Sequence, residues 1–139
     1  MQTRPRLASS AIVEREGRFL LVRRRNPPAA DLFAFPGGRA EPGETPEETA
    51  IRELFEETGL EGREARLFET LELLPEDDTP ESHFLLSVFR VEAASETVAI
   101  ADDDALEAGW FLPEEIADLL VPDSVRACVE RLVRAGEAG

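Results

Sequence analysis

Apolar and polar positions change period along the chain. Two β-compatible apolar runs, 8–14 and 18–24, flank Glu16-Gly17 and predict a hairpin. Positions 26–31, containing Pro27 and Pro28, read as a loop, and 33–35 as a short strand ended by Pro36-Gly37-Gly38. Thr45 then offers a helix N-cap, Pro46 the first helical position, Glu48 the reciprocal half of a capping box and Gly59 a C-terminal stop. A helix is predicted between them. Runs 66–74 and 83–92 predict two strands joined by an acidic loop over 75–81, followed by a short strand at 108–112 and a short helix at 113–120. Over 123–135, Val125, Cys128, Val129, Leu132 and Val133 form one helical stripe, which predicts a buried, inert thiol at Cys128. Elements in this order predict an α/β fold, a mixed β-sheet between helices, in a single domain over 1–139.

Composition narrows the chemistry. All 15 basic residues are arginine, which removes a Schiff-base lysine and the lysine of a phosphate-binding P-loop. The single histidine, His83, leaves no histidine-rich zinc site and reads as a packed or rim residue. One cysteine permits no internal disulfide, which suits a reducing, cytoplasmic setting. The N-terminus lacks an export-type apolar core, and no run reaches the roughly 20 apolar residues of a membrane span. A net charge of -15 repels nucleic acid polymers and anionic membranes but does not exclude small phosphorylated ligands, because a divalent cation inverts the local sign. Seven of the arginines fall within the first 25 residues, opposite an acidic remainder; the bland account is that they solvate the hairpin.

On the helix after Thr45, a step of about 100° per residue gathers Glu53, Glu56 and Glu57 on one face. The same step sets Ile51, Leu54 and Phe55 on the opposite side, as the expected core face. Like charges at i, i+3 and i+4 destabilise a helix unless something compensates them. Clustered oxygen ligands suit Mg²⁺ or Mn²⁺. Helix geometry alone leaves a solvated acidic face equally open.

The wider spacing decides between them. Gly38, five residues, Glu44, seven residues, Arg52-Glu53-Leu54, one residue, Glu56-Glu57, one residue, Gly59-Leu60 resembles the Nudix box of hydrolases acting on nucleoside diphosphates linked to another moiety. The resemblance implies an α/β/α sandwich and metal-dependent cleavage of a diphosphate. It implies that Glu53, Glu56 and Glu57, with the backbone carbonyl of Gly37, hold the cations, that Arg52 orients the carboxylates, and that Glu44 supports the metal site. Arg23 and Arg39 match family positions for a basic phosphate ligand. Glu53, or an acidic residue on a later loop (Asp102-Asp103-Asp104 or Glu107), is the expected general base. Phe33 is the candidate stacking platform for a nucleobase; the alternative is that it belongs to the core.

The stretch from Asp103 to Phe111 resembles the ADP-ribose and nucleotide-sugar branch, and Pro75 lies 15 residues after Leu60, where ADP-ribose pyrophosphatases often carry a proline. The resemblance therefore favours ADP-ribose or a related nucleotide sugar, in a protein that is often a homodimer. A nucleoside triphosphate pyrophosphatase that removes damaged nucleotides is the competing enzyme. A silent nucleotide-sensing module usually loses box carboxylates, which this chain retains, and an isoprenoid diphosphate isomerase needs cysteine and histidine groups that Cys128 supplies poorly.

Overall fold

The computed structural model describes residues 5–25, 30–74, 83–94 and 98–138, with the backbone alone for 137 and 138. The expected loop 75–81, Pro75 with it, and positions 26–29 lie outside the described residues. Strand β1 (Arg6–Ile12) pairs in parallel with β7 (Phe84–Ala93), whose other edge carries the antiparallel β6 (Gly62–Leu73). The outer strand beyond β1 is β5 (Gly37–Arg39), also antiparallel. A second sheet is centred on β3 (Arg18–Arg24), with β8 (Ala105–Phe111) on one edge and β2 (Glu14–Arg15) and β4 (Phe33–Ala34) on the other.

The expected hairpin is formed only at its tip. Glu16 (φ 50°) and Gly17 (φ 77°) make the left-handed turn that suits a two-residue connection, and β2 pairs with the start of β3. Past Val13 the chain leaves β3 and enters the other sheet, where β1 finds β5 and β7. The glycine pair, expected to end a strand, is itself a strand.

Helix α1 (Pro46–Thr58) carries the expected capping box: Glu48 N–H donates to Thr45 Oγ1 and Thr45 N–H donates to Glu48 Oε1. Gly59 adopts φ 77° and its N–H donates to the Phe55 carbonyl at 2.8 Å, ending the helix as a left-handed cap. Helices α2 (Pro113–Ile116) and α3 (Asp123–Ala138) follow β8. Among the described residues no helix is long and apolar enough to cross a membrane.

Neighbouring residues feed opposite core clusters. Ile12, Leu21 and Val88 pack with Val125, Cys128, Val129 and Leu132 of α3. Ala11, Leu20 and Phe89 pack with Ala50 and Leu54 of α1. Side chains of a strand alternate between faces, so these pairs place α1 and α3 on opposite sides of the strand layer. Truncating the fully buried Leu54 to alanine would cost about 2–5 kcal/mol.

Candidate active site

Helix α1 buries only part of the face expected from the wheel: Leu54 is fully buried and Ile51 half-buried, but Phe55 is not. Its buried residues are Thr49, Ala50, Leu54, Glu57 and Thr58, whereas Phe55 is 53% exposed. Small side chains at 49, 50 and 58 turn the helix so that the carboxylate face leans onto β5. Glu57 is consequently only 3% exposed, and its Oε2 accepts the Gly37 N–H at 2.8 Å. Burial, and then the nearby Glu53 charge, push its carboxyl up to about 8, with the Gly37 amide and Arg24 acting in the opposite sense. Glu53 is also raised, chiefly by desolvation, with Arg52 opposing. Gly38 leaves room for this carboxylate: a Cβ there would lie 2.6 Å from the Glu53 carboxyl carbon.

Arg52 organises this face. Its Nε and Nη2 donate to Glu44 Oε2 and Oε1 at 2.7 and 3.0 Å, while Nη1 donates to Glu53 at 2.9 Å and to Glu56 at 3.1 Å. Nη2 also donates to the Arg39 carbonyl at 3.0 Å, tying β5 to α1. The Glu44 hydrogen bonds from Arg52, aided by Glu41 N–H and the Thr49 hydroxyl, hold its carboxyl down at about 2. Arg52 is raised in return, chiefly by Glu44. Thr49 carried no sequence signal beyond being a helix-interior residue.

The segment before β8 docks onto the end of α1. Asp102 N–H donates to the Glu57 carbonyl and Ile100 N–H to the Thr58 carbonyl, both at 2.9 Å. This brings Asp103 and Asp104 towards the glutamates; burial, Asp104 and Glu56 raise the Asp103 carboxyl. The expected late acidic loop therefore meets the box through its aspartates.

A cavity of about 990 Å³ opens along this face, and Gly37, Gly38, Arg39, Arg52, Glu53 and Glu57 line it. Arg24, Arg25 and Asp104 line it too. Arg23 and Glu107 do not, being paired across the strands at 2.8 Å, with Asp31 3.3 Å from the same arginine. Phe33 packs edge-on against Phe111, with ring centroids 5.3 Å apart, at the α3-side core. The Cys128 thiol is buried and pushed up to about 11, as an inert thiol requires. His83 pairs with Glu72 at 2.8 Å.

Among the described residues no three carboxylates are gathered closely enough to cage a cation unaided. The donor chemistry nonetheless fits a hard divalent ion. Glu53, Glu56 and Glu57 offer only oxygens, and the crowded, desolvated carboxylates are what a cation relieves. The Gly37 carbonyl belongs to the same strand edge.

Known proteins agree with this architecture. The family model for the NUDIX domain matches residues 4–132. The ADP-ribose pyrophosphatase of Methanocaldococcus jannaschii is 37% identical over 107 residues, covering 77% of this chain and 62% of that protein. The 8-oxo-dGTP diphosphatase of Escherichia coli is 39% identical over 83 residues, covering 58% of this chain and 61% of that protein. This chain thus spans about three fifths of either relative. The crystal structure of a MutT NUDIX hydrolase from Burkholderia pseudomallei superposes with a TM-score of 0.78 at 26% identity, covering 91% of this chain and 97% of that one. The chain belongs to the Nudix hydrolase family, and its fold is the Nudix α/β/α sandwich.

Proposed function

We propose that this chain is a divalent-metal-dependent pyrophosphohydrolase that cleaves ADP-ribose or a related nucleotide sugar, releasing a nucleoside monophosphate and a sugar phosphate. The observation that carries the reading is the cavity wall shared by Gly37, Gly38, Glu53 and Glu57 and held by Arg52. The archaeal relative supplies the substrate class.

Glu53, Glu56 and Glu57, with the Gly37 carbonyl, would hold Mg²⁺ or Mn²⁺, which when bound neutralises the diphosphate and lowers the pKa of water. Arg24 and Arg39, both in the cavity wall, bind diphosphate oxygens. Arg23 is committed to Glu107 and Asp31, so this reading gives it and Glu107 the role of fixing β3 against β8. Glu53 accepts the proton of the attacking water as the new P–O bond forms and the bridging P–O bond breaks. Glu44 acts through Arg52 as a positioning residue. Small nucleotides, and neither nucleic acid polymers nor membranes, are the partners, in a cytoplasmic setting that leaves the lone thiol reduced.

The E. coli relative supports a second reading, removal of oxidised nucleoside triphosphates. A panel of ADP-ribose, other nucleotide sugars, dinucleoside polyphosphates and 8-oxo-dGTP, assayed with Mg²⁺ and with Mn²⁺, separates the two. Preferred turnover of ADP-ribose supports the first; dominant triphosphate activity replaces it with the second.

A further inference from the structure

One buried carboxylate of the cavity has no part in the chemistry above. Strand β6 carries an irregularity between Leu67 and Glu69, beyond which Glu69 stands opposite Val88 of β7. Val88 belongs to the core cluster under α3, so Glu69 faces that helix. Its side chain is 8% exposed, and among the described residues neither carboxylate oxygen has a hydrogen-bond partner. Arg131 of α3 meets Oε2 as an ion pair, its guanidinium also lying 5.9 Å from the centre of the Phe68 ring. The arginine balances the charge and leaves the acceptor capacity of Oε1 unused.

A buried acceptor without a donor is costly and calls for a use. Glu69 lines the same cavity as Glu53 and Glu57, whose α3 side is built mainly of Phe35, Leu71, Leu86, Val125 and Cys128, with Ser10, Asp123 and Ser124 also in its lining. A largely apolar slot with a buried, unused acceptor in its wall matches a planar heterocycle with an amino group on its edge. A keto oxygen at that place would set lone pairs against a carboxylate.

We propose that Glu69 is the specificity-determining residue for the nucleobase, accepting the exocyclic amine of an adenine-type base that lies in this slot. The proposal rests on the nucleotide pyrophosphohydrolase reading and adds the base to it. Arg131, paired with Oε2, leaves Oε1 as the acceptor turned to the base. Selection then comes from a single hydrogen bond to a charged group in a desolvated wall, a difference of about 10- to 100-fold.

The test is binding of AMP, IMP and purine riboside 5′-monophosphate (which lacks the C6 substituent) by calorimetry, on the whole chain and on Glu69→Leu and Glu69→Gln, with ADP-ribose hydrolysis measured in parallel. The wild type is expected to bind AMP about 10- to 100-fold more tightly than the other two. Glu69→Leu should bind all three alike. Glu69→Gln, whose amide can also donate to the IMP oxygen, should narrow the AMP-to-IMP ratio and provides the answer if the leucine variant does not fold. Equal affinities in a wild type that hydrolyses ADP-ribose, or an unchanged AMP preference in folded variants, overturn the role of Glu69 alone. A wild type that neither binds these nucleotides nor hydrolyses ADP-ribose overturns the underlying function as well.

Discussion

Gly38 and Glu53 are in such close apposition that a single methyl group on the glycine would fall 2.6 Å from the carboxyl carbon and from its Oε1. What it would strike is the end of a side chain, so Gly38→Ala is expected to fold and to lose about 10²-fold in kcat through displacement of the carboxylate. At Gly37 the same methyl would meet backbone, 2.5 Å from the Ser9 carbonyl oxygen and 2.8 Å from the Ser10 Cα. Gly37→Ala should therefore lower the melting temperature as well. Paired melts and rate assays distinguish them; equal melting losses would contradict the geometry.

The Glu44–Arg52 clamp sets an acid limit. Glu44 is held at about 2 against an ordinary 4.5, so it contributes stability above pH 4.5 that is lost as the pH falls towards 2. Glu44→Gln should flatten acid unfolding over that interval. It should also reduce kcat more than it raises KM, because Glu44 acts through Arg52.

Glu57 works in the opposite direction. Its carboxyl rises to about 8 on folding, so in chelator the folded chain binds more protons than the unfolded one, and stability falls as pH climbs from about 4.5 to 8. Glu57→Gln should be more stable than wild type at pH 9, nearly equal at pH 4, and slower by about 10²-fold or more in turnover. Urea midpoints at the two pH values check the sign.

Phosphate contact should divide between neighbouring arginines. Arg24→Ala is expected to raise KM by about tenfold, the loss of roughly one charge-assisted hydrogen bond. Arg23→Ala, which breaks partly exposed pairs with Glu107 and Asp31, should change KM less than threefold and stability by about 1 kcal/mol or less. The reverse order of KM effects would return the phosphate role to Arg23.

Chelation should abolish turnover, and Mg²⁺ or Mn²⁺ should restore it. A ligand that binds only the folded state raises its melting temperature, so Mg²⁺ should stabilise wild type and do so far less in Glu56→Gln or Glu57→Gln. Full activity in excess chelator would remove the metal from the account.

The box and its helix could be read directly, because caps and carboxylate spacing are local properties: Thr45, Glu48 and Gly59 act within one turn of where they stand. Partners across the fold could not. Residues 8–14 and 18–24 have the pattern of two adjacent strands, yet which neighbour β1 takes depends on β7, more than 70 residues away in sequence. The wheel located the glutamates but chose Phe55 over Glu57 for burial, since hydropathy does not register that Thr49, Ala50 and Thr58 are small enough to let the helix settle on that side. Arg23 and Arg24 are indistinguishable by type and differ only in the face their strand gives them. Glu69 sits in an apolar slot because of a one-residue irregularity in β6, which no spacing announces.

Strand β5 is both the outermost member of its sheet and a wall of the cavity, paired with β1 from Ala8–Arg39 to Ser10–Gly37 and fastened by one further backbone hydrogen bond at either end, Ala11 N–H to the Pro36 carbonyl and Ala40 N–H to the Leu7 carbonyl. The glutamates stand on a well-anchored helix, whereas the amide that steadies Glu57 stands on this short border. Separation of that border would dismantle the site while both cores stayed packed, so heat should extinguish the proposed activity several degrees before it melts the protein.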